Sequence, residues 1–404
     1  MEEWKLYKLS DVTNLIGDGI HGTPKYDDSG SYFFINGNNL ENGKIVIRST
    51  TKKVNTEEAL KHRKNLSERT ILVSINGTIG NTARYNFEPC ILGKSACYLN
   101  VSDGVDVDFI YYVVSNQQFK DTISRLATGT TIKNVSLETM RNYEFFMPSL
   151  KSQKKISGIL KSIDDKIELN RQINDNLEQQ LQSLYREWFI ENPKADWTTV
   201  NLSEIASFTS GYSYKGNELV ESSDTAMATI KNFERNGGFK IDGYKPIVPS
   251  AKLKIDQRAQ LFDILVAHTD LTQNAEVIGN AEILLSKDIY KELIFSMDLV
   301  KVSAKGSFPF QFLLALLLKN PRFKSHCIGY VNGTTVLHMN KRALPDYETI
   351  IPNSEDAQSL NATAKAIFCQ MSENLTEISN LTKLRDTLLP KLMSGELKIN
   401  EIDC

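Results

Sequence analysis

The side chains that could do chemistry in this chain of 404 residues lie in polar loops that contain glycine. One stretch, Asp18 to Tyr26, joins a histidine, a lysine and an aromatic ring to small residues. Asn and Gln can pair with adenine edges, Lys and Arg with guanine, and Ser and Thr with bases or phosphates. Such loops suit recognition of a ligand with hydrogen-bonding edges, although a single loop of this kind is more often an ordinary turn.

Similar loops recur at matched positions along the chain, which favours a recognition role, although a shared fold could also explain the recurrence. The candidate nucleic-acid contacts are His21, Thr23, Lys25, Tyr26, Asn38, Asn39, Asn76, Thr78, Thr130, Thr131, Lys133, Tyr212, Ser213, Tyr214, Lys215, Lys231, Asn232, His268, Thr272, Gln273, Asn274, Thr334 and Thr335.

Spacings that would indicate catalysis or metal binding are missing from the sequence. Gly93-Lys94-Ser95 resembles the end of a phosphate-binding loop, but Glu88 stands where the first glycine is needed. The five histidines form neither an H-x-x-x-H nor an H-E-x-x-H pattern. The sequence therefore predicts a chain without catalytic residues, a metal site or a cofactor of its own.

Charge and cysteine content narrow the class of protein. The net charge of −2 counts against a simple nucleic-acid binder, for which a basic domain is expected. The basic residues between Arg48 and Arg69 indicate either a solvated helix face or a phosphate-binding patch. The five cysteines lack C-x-x-C spacing, and the acidic start lacks an apolar signal core. We therefore expect reduced thiols and a cytoplasmic location.

The elements that position the loops come in two copies. Trp4 recurs as Trp197, shifted by 193 positions (197 − 4), and the GTT motif at Gly129 recurs at Gly333, shifted by 204 (333 − 129). The difference of eleven indicates net insertion in the second copy. Each copy begins with short apolar runs bounded by turn residues, as expected for the strands of an α+β domain.

Each copy ends in a long helix with a heptad seam, which needs a partner helix to cover its apolar stripe. The simplest partner is the helix of the other copy. The predicted helix–helix seam comprises Ile156, Leu160, Ile163, Ile167, Asn170, Leu177, Leu181, Leu184, Leu360, Ile367, Met371, Asn374, Ile378, Leu381 and Leu388.

Two asparagines occupy the same seam position in the two copies. A two-fold relation between the copies makes the helices antiparallel and brings Asn170 and Asn374 close together. A buried amide pair could then fix the register at some cost in stability. The alternative is two unrelated, solvated asparagines.

Several motifs resemble one family, the DNA specificity subunits of type I restriction–modification systems, over essentially the full length. The resemblance is carried by DGIHGTP at Asp18, GTTI at Gly129, LNRQINDNL at Leu169 with LYREWF at Leu184, and LLPKLMSGEL at Leu388. The chain departs from the family at residues 356–358, where the usual Glu-Gln pair before the second helix is absent.

The resemblance implies two pseudo-repeated target-recognition domains separated by two long antiparallel, coiled-coil-like helices. The expected bounds are 1–150 for the first domain, 151–192 for the first long helix, 193–353 for the second domain and 354–404 for the second helix and tail. Each domain would read one half of a bipartite DNA target, and the helices would set the spacer.

The resemblance also implies partners: duplex DNA, two modification (methyltransferase) subunits and restriction (translocase and endonuclease) subunits. S-adenosylmethionine, ATP and Mg²⁺ are expected on those partners, and no membrane is involved. Two alternatives stay open. One is a pair of repeated catalytic folds, which the missing catalytic spacings disfavour. The other is a helical assembly scaffold without direct base readout.

Overall fold

The computed structural model describes residues 4–129, 133–235, 237–272, 274–333 and 336–397. The chain divides into two compact units: unit 1 is Met1–Asp165 with Thr382–Cys404, and unit 2 is Lys166–Leu381. Both units combine short strands with helices, which confirms the predicted α+β class. Among the described residues, no helix has the length and apolar character needed to span a bilayer.

Unit 1 begins with short strands and ends in the first part of a long helix. Its elements are β1 (Lys5–Lys8), β2 (Thr13–Gly17), β3 (Tyr32–Ile35), β4 (Leu40–Glu41), β5 (Lys44–Ile45), β6 (Lys53–Val54), α1 (Thr56–His62), β7 (Thr70–Ser74), β8 (Thr82–Arg84), β9 (Cys90–Leu92), β10 (Ala96–Val101), α2 (Val107–Ser115), α3 (Gln117–Leu126), α4 (Leu137–Arg141), β11 (Glu144–Met147) and α5 (Leu150–Arg186), which continues into unit 2.

The core of unit 1 is built on short sheets. An antiparallel sheet runs in the order β2-β10-β7-β8, a second sheet runs β6-β3-β9, and β1 pairs with β11. All five residues of β7, TILVS, are buried, as expected for a central strand rich in β-branched and aliphatic side chains. Helix α2 packs on this sheet, and the Asp106 carboxylate caps its start by accepting from Phe109 N at 2.8 Å.

Unit 2 has a similar order of elements. After α5 the chain forms β12 (Thr198–Asn201), α6 (Leu202–Ile205), β13 (Ala206–Ser210), β14 (Thr225–Ala228), β15 (Lys245–Pro246), β16 (Arg258–Ala259), β17 (Ile264–Ala267), β18 (Thr269–Asp270), β19 (Ala281–Ile283), β20 (Glu292–Phe295), β21 (Leu299–Ala304), α7 (Gln311–Leu318), α8 (Pro321–Ile328), β22 (Val331–Asn332), β23 (Leu337–Met339), β24 (Glu348–Ile351) and α9 (Ser354–Met393), whose last part belongs to unit 1.

Backbone hydrogen bonds of the two units match. The sheet β13-β21-β17-β19 has the order of β2-β10-β7-β8, and β12 pairs with β24 as β1 pairs with β11. Leu9 N donates to Tyr143 O at 3.0 Å, and Leu202 N donates to Tyr347 O at 2.8 Å. The repeated residues of the sequence therefore occupy equivalent backbone positions.

The matched bonds also locate most of the net insertion. Gly80 N donates to Ser74 O in unit 1, and Gly279 N donates to Ala267 O in unit 2. The loop between those residues is six positions longer in unit 2 (279 − 267 against 80 − 74). The remaining five of the eleven inserted positions lie further along the second copy. The longest insertion therefore falls in a loop that contains candidate contacts.

In unit 1, the first part of α5 packs beside the last part of α9. Ile156 and Leu160 of α5 and Leu392 of α9 are buried in the core of the unit. Asp164 accepts from Arg385 Nη1 at 3.0 Å and from the Tyr112 hydroxyl at 2.7 Å. Burial and the Asp164 carboxylate raise the pKa of Tyr112, so its hydroxyl remains a donor at neutral pH.

In unit 2, the rest of α5 runs antiparallel to the first part of α9 and pairs through amides. Asn374 Nδ2 donates to Asn174 Oδ1 at 2.8 Å, and Asn170 Nδ2 donates to Glu377 Oε2 at 2.7 Å. The expected direct pair of Asn170 with Asn374 is therefore wrong by one helical turn. Both asparagines are nevertheless buried, at 1% and 5% exposure, so they are not solvated residues.

The other predicted seam residues are covered to different degrees. Ile163, Ile167, Leu181, Ile367 and Met371 are buried, and Leu177, Leu184, Leu360, Ile378, Leu381 and Leu388 are half-buried. The heptad pattern therefore identified the inward-facing stripe of each long helix.

Replacing Asn374 by leucine is expected to lower the free energy of unfolding by about 1–3 kcal/mol, because Asn174 loses its buried partner. Leucine at both positions should recover most of that loss, since the Asn174 amide is then also removed and the exposed Gln370, which donates to Asn374 Oδ1, can bond to water instead. Urea unfolding curves of the two variants measure the difference, with Asn380→Leu on the exposed face of α9 as the control. Equal losses in the single and double variants would contradict the pairing.

Candidate nucleic-acid interface

The candidate loops of unit 1 meet at one edge of its sheets. Ile20 N donates to Leu92 O, and Gly93 N donates to Ile35 O, both at 2.8 Å. These bonds place the loop after β2 beside the turns that follow β3 and β9. We name as loop cluster 1 the residues 18–26, 36–39, 76–79, 93–95, 128–129 and 133–134.

Ser95 joins three of these loops. Its hydroxyl donates to Asn36 Oδ1 at 3.0 Å and accepts from Gly37 N at 2.8 Å. Its carbonyl accepts from Ile75 N at 3.0 Å, which fixes the start of the loop 76–79. The hydrogen bonds of Ser95 thus connect three loops of the cluster beneath their exposed side chains.

Unit 2 assembles its loops with the same kind of bonds. Tyr212 N donates to Phe295 O at 2.7 Å, and Ser296 N donates to Ala228 O at 2.9 Å. His268 N donates to the carbonyl of Asp298 at 2.8 Å. We name as loop cluster 2 the residues 210–215, 229–232, 268–272, 274–278, 296–298, 332–333 and 336–338.

One glycine in each cluster allows the backbone of its loop to lie against the backbone of a neighbouring segment. A Cβ on Gly19 would lie 2.0 Å from Leu92 O, and a Cβ on Gly211 would lie 2.0 Å from Ser296 O. Any side chain at either position would therefore push the loop off its sheet. The two glycines explain why the loops recur with the same backbone path.

Most of the candidate residues in the described part of the chain present their side chains to solvent. The exposed ones are His21, Thr23, Lys25, Tyr26, Asn38, Thr78, Lys133, Ser213, Lys215, Lys231 and Asn274. The half-buried ones are Asn76, Tyr214, His268 and Thr272. Those that lie outside the described residues are Thr130, Thr131, Gln273, Thr334 and Thr335.

The side chains of Asn39 and Asn232 are buried and hydrogen-bond within their own units. Asn39 Oδ1 accepts from Asn36 N at 3.0 Å, and Asn232 Oδ1 accepts from Thr229 N at 2.8 Å. Their side-chain amides also donate to carbonyls of their own unit, and both residues are buried. The amides of both asparagines are therefore satisfied inside the fold, which does not favour the predicted contact with nucleic acid.

Tyr212 is another candidate residue whose side chain points into its own unit. Its side chain is buried, and its hydroxyl donates to Glu218 at 2.7 Å. The backbone N–H of Lys215 and the Tyr212 hydroxyl lower the pKa of Glu218 to about 2. The buried Tyr212 side chain therefore anchors the loop 210–215 of loop cluster 2.

A lysine lies close to an exposed aromatic ring in loop cluster 1. Tyr26 is 45% exposed, and the Lys52 ammonium lies 6.0 Å from its ring centroid. The Lys53 ammonium lies 5.6 Å from the ring of Phe33 on the neighbouring strand. This part of the Arg48–Arg69 run therefore adjoins a candidate loop, where its charge can reach a phosphate backbone.

Cluster 2 contains two polar groups with shifted pKa values. Burial lowers the pKa of His268, and the nearby His338 and Lys341 lower it further. Burial acts to raise the pKa of Asp270, but hydrogen bonds from Val277 and Thr272 outweigh it and keep the pKa low. Asp270 thus stays ionised at neutral pH and braces the longer loop of unit 2.

Two tip residues were not among the candidates that the sequence supplied. Lys94 lies exposed at the turn after β9, and Met297 lies 55% exposed at the turn after β20. Gly93 and Ser296 make equivalent bonds just before them, so the two side chains occupy equivalent places. The shift of 203 positions between them (297 − 94) differs from both shifts that the sequence repeats displayed.

Known proteins resemble this chain in sequence and fold. Residues 1–179 match the family model described as the type I restriction modification DNA specificity domain. The specificity subunit of the type I restriction enzyme MjaIX from Methanocaldococcus jannaschii is 23% identical over 99% of this chain and 95% of its own length. The specificity subunit of HindI from Haemophilus influenzae is 23% identical over 98% of this chain and 100% of its own length.

The chain is thus similar to type I restriction–modification specificity subunits over nearly its full length, and its residues 1–179 match the DNA specificity domain of that family. The resemblance seen in the sequence motifs is thereby confirmed. The crystal structure of a type I S subunit from M. genitalium has a TM-score of 0.57 and 20% identity, covering 97% of this chain and 96% of that one. This likeness shows that the two proteins share a fold over nearly the whole chain.

The described part of this chain contains no group of three or more His, Cys, Asp or Glu residues arranged to hold a metal ion. Its candidate interface consists instead of polar and cationic loop tips on two equivalent frames. Such an arrangement can contact base edges and phosphates through hydrogen bonds and charge.

Proposed function

We propose that this chain is the non-catalytic, sequence-reading subunit of a type I restriction–modification complex, and that each loop cluster reads one half of a bipartite DNA target. The observation that carries the proposal is the repeated frame: the same backbone bonds support both clusters, but the exposed side chains differ. Two loop clusters with the same backbone support but different exposed side chains can bind one duplex at two places and select different bases there.

The charges of the tips support DNA as the ligand. Lys25, Lys94 and Lys133 are exposed in cluster 1, and Lys215 and Lys231 are exposed in cluster 2. Lysines at these positions can contact phosphates, while the neighbouring Asn, Ser and Thr side chains contact base edges. The overall charge of −2 fits a subunit whose partners share the binding of the duplex.

The partners that we propose are two modification subunits and the restriction subunits. In this arrangement S-adenosylmethionine, ATP and Mg²⁺ are bound by the partners, which carry out methylation, translocation and cleavage. The long helices α5 and α9 set the spacer between the half-sites and dock the modification subunits. Residues 1–150 and 193–353 are the two proposed reading domains.

Exchange of residues 1–150 for the first domain of another specificity subunit is expected to change one half-site and leave the other and the spacer unchanged. The measurement is selection of bound duplexes from a random-sequence library by the chain in complex with its modification subunits, at fixed salt. A chain carrying an exchanged domain 193–353 is the matched control and should change the opposite half-site. Alteration of both half-sites by either exchange would refute modular reading.

A further inference from the structure

Loop cluster 2 exposes two large apolar side chains among its polar tips. Leu271 is 65% exposed and Met297 is 55% exposed. Leu271 lies in the loop that is longer in unit 2, and Met297 takes the place of the lysine Lys94 of unit 1. The two units therefore differ in the chemistry of their tips on a shared frame.

The two apolar residues lie on neighbouring turns. The Thr269 hydroxyl donates to Asp298 Oδ1 at 3.1 Å, and His268 N donates to the Asp298 carbonyl at 2.8 Å. Thr269 precedes Leu271 by two positions, and Asp298 directly follows Met297. The hydrogen bonds thus join the backbone segments that carry Leu271 and Met297.

Hydrogen bonds anchor the backbone beside both apolar residues. Asp270 accepts from Thr272 N at 2.7 Å and from Val277 N at 2.6 Å, which closes the loop around Leu271. Met297 N donates to Tyr212 O at 2.9 Å. A side chain on a fixed turn loses little conformational freedom on binding, so exposed apolar groups here are suited to a contact.

We propose that Leu271 and Met297 form an apolar reading surface that contacts thymine C5-methyl groups in the half-site read by unit 2. This inference rests on the proposed function. The argument is chemical: the thymine methyl is the apolar feature that a base pair presents in the major groove. Lysine at the equivalent place in unit 1 suits guanine or phosphate instead, so the two half-sites differ in their dependence on methyl groups.

The test uses the chain in complex with its modification subunits. Selection from a random duplex library first gives the two half-sites. Duplexes with deoxyuridine in place of each thymine of the unit 2 half-site then remove only the methyl groups. We expect binding to weaken about four-fold for each contacted methyl, which corresponds to the loss of one buried methyl-sized group. In Leu271→Ser/Met297→Ser, deoxyuridine and thymine duplexes should bind equally.

Ile289→Ser is the matched control, because Ile289 is 60% exposed in unit 2 but lies outside loop cluster 2. This variant should keep the full deoxyuridine effect. An unchanged unit 1 half-site in all variants shows that each protein is folded and assembled.

The inference would be overturned by a unit 2 half-site without thymine, by no deoxyuridine effect with the unchanged chain, or by a full effect in the double serine variant. A fluorescence change of 2-aminopurine in the half-site without a deoxyuridine effect would indicate a wedge between bases instead. Weaker assembly with the modification subunit as the sole effect of the variant would overturn it in favour of a protein contact. Absence of any selected sequence would refute the proposed function itself.

Discussion

Replacement of Lys319 by methionine is expected to lower the free energy of unfolding of unit 2 by about 3–5 kcal/mol, because it leaves the buried Glu282 carboxylate and the half-buried Glu178 carboxylate without their cation. The Lys319 side chain is 12% exposed and pairs with Glu282, which is 5% exposed. A second carboxylate, Glu178 of α5, lies 3.3 Å from the Lys319 ammonium. The lysine therefore joins the end of α7 to β19 and to the long helix.

Lys319 is charged at neutral pH, which supports a loss of this size in the free energy of unfolding. Burial acts to lower its pKa, but Glu282 and Glu178 outweigh burial and hold the pKa above its ordinary value of 10.5. A raised lysine pKa contributes stability below the unfolded value, and that contribution is lost as the pH rises through the folded value. The ion group is thus complete at neutral pH.

Urea unfolding followed by tryptophan fluorescence measures the loss. Trp188 and Trp197 belong to unit 2, and a Trp4→Phe background removes the signal of unit 1. Lys291→Met is the matched control, since Lys291 and its partner Asp224 are both mostly exposed. Such an exposed pair contributes little to stability, because water and salt screen its charges. A loss for Lys319→Met no larger than that of the control would contradict the structural role of the buried group.

The sequence predicted the repeated architecture because its signals are local. A heptad seam reports the buried stripe of a helix, and residues such as Ile156 and Leu181 are buried where the pattern placed them. The partner of each seam residue depends on register, which no local signal contains. The Asn374 amide accordingly meets Asn174, one turn away from the expected Asn170.

Loop function was harder to predict because an asparagine looks the same in the sequence whether it points inward or outward. Asn38 is exposed, whereas Asn39 beside it turns inward and bonds to its own unit. The equivalence of Lys94 and Met297 was hidden for another reason. Insertions in the second copy change the shift between equivalent residues, so only the backbone hydrogen bonds reveal the match.

Addition of one heptad to both long helices is expected to lengthen the spacer of the selected DNA target by about three base pairs. Seven helical residues add roughly 10.5 Å at ~1.5 Å per residue, and a duplex rises ~3.4 Å per step. A whole heptad keeps the apolar seam facing its partner. Insertion after residue 167 in α5 and after residue 380 in α9 places the additions opposite each other, because the pairing in unit 2 is antiparallel.

The half-sites themselves should not change, since neither loop cluster is altered. Selection from a random duplex library by the complex with modification subunits gives spacer and half-sites in one measurement. A heptad added to α5 alone is the control, because it shifts Asn174 away from Asn374 and breaks the seam, so stability should fall and no single spacer should be selected. An unchanged spacer with the doubly extended helices would show that the helices do not set the distance between the half-sites.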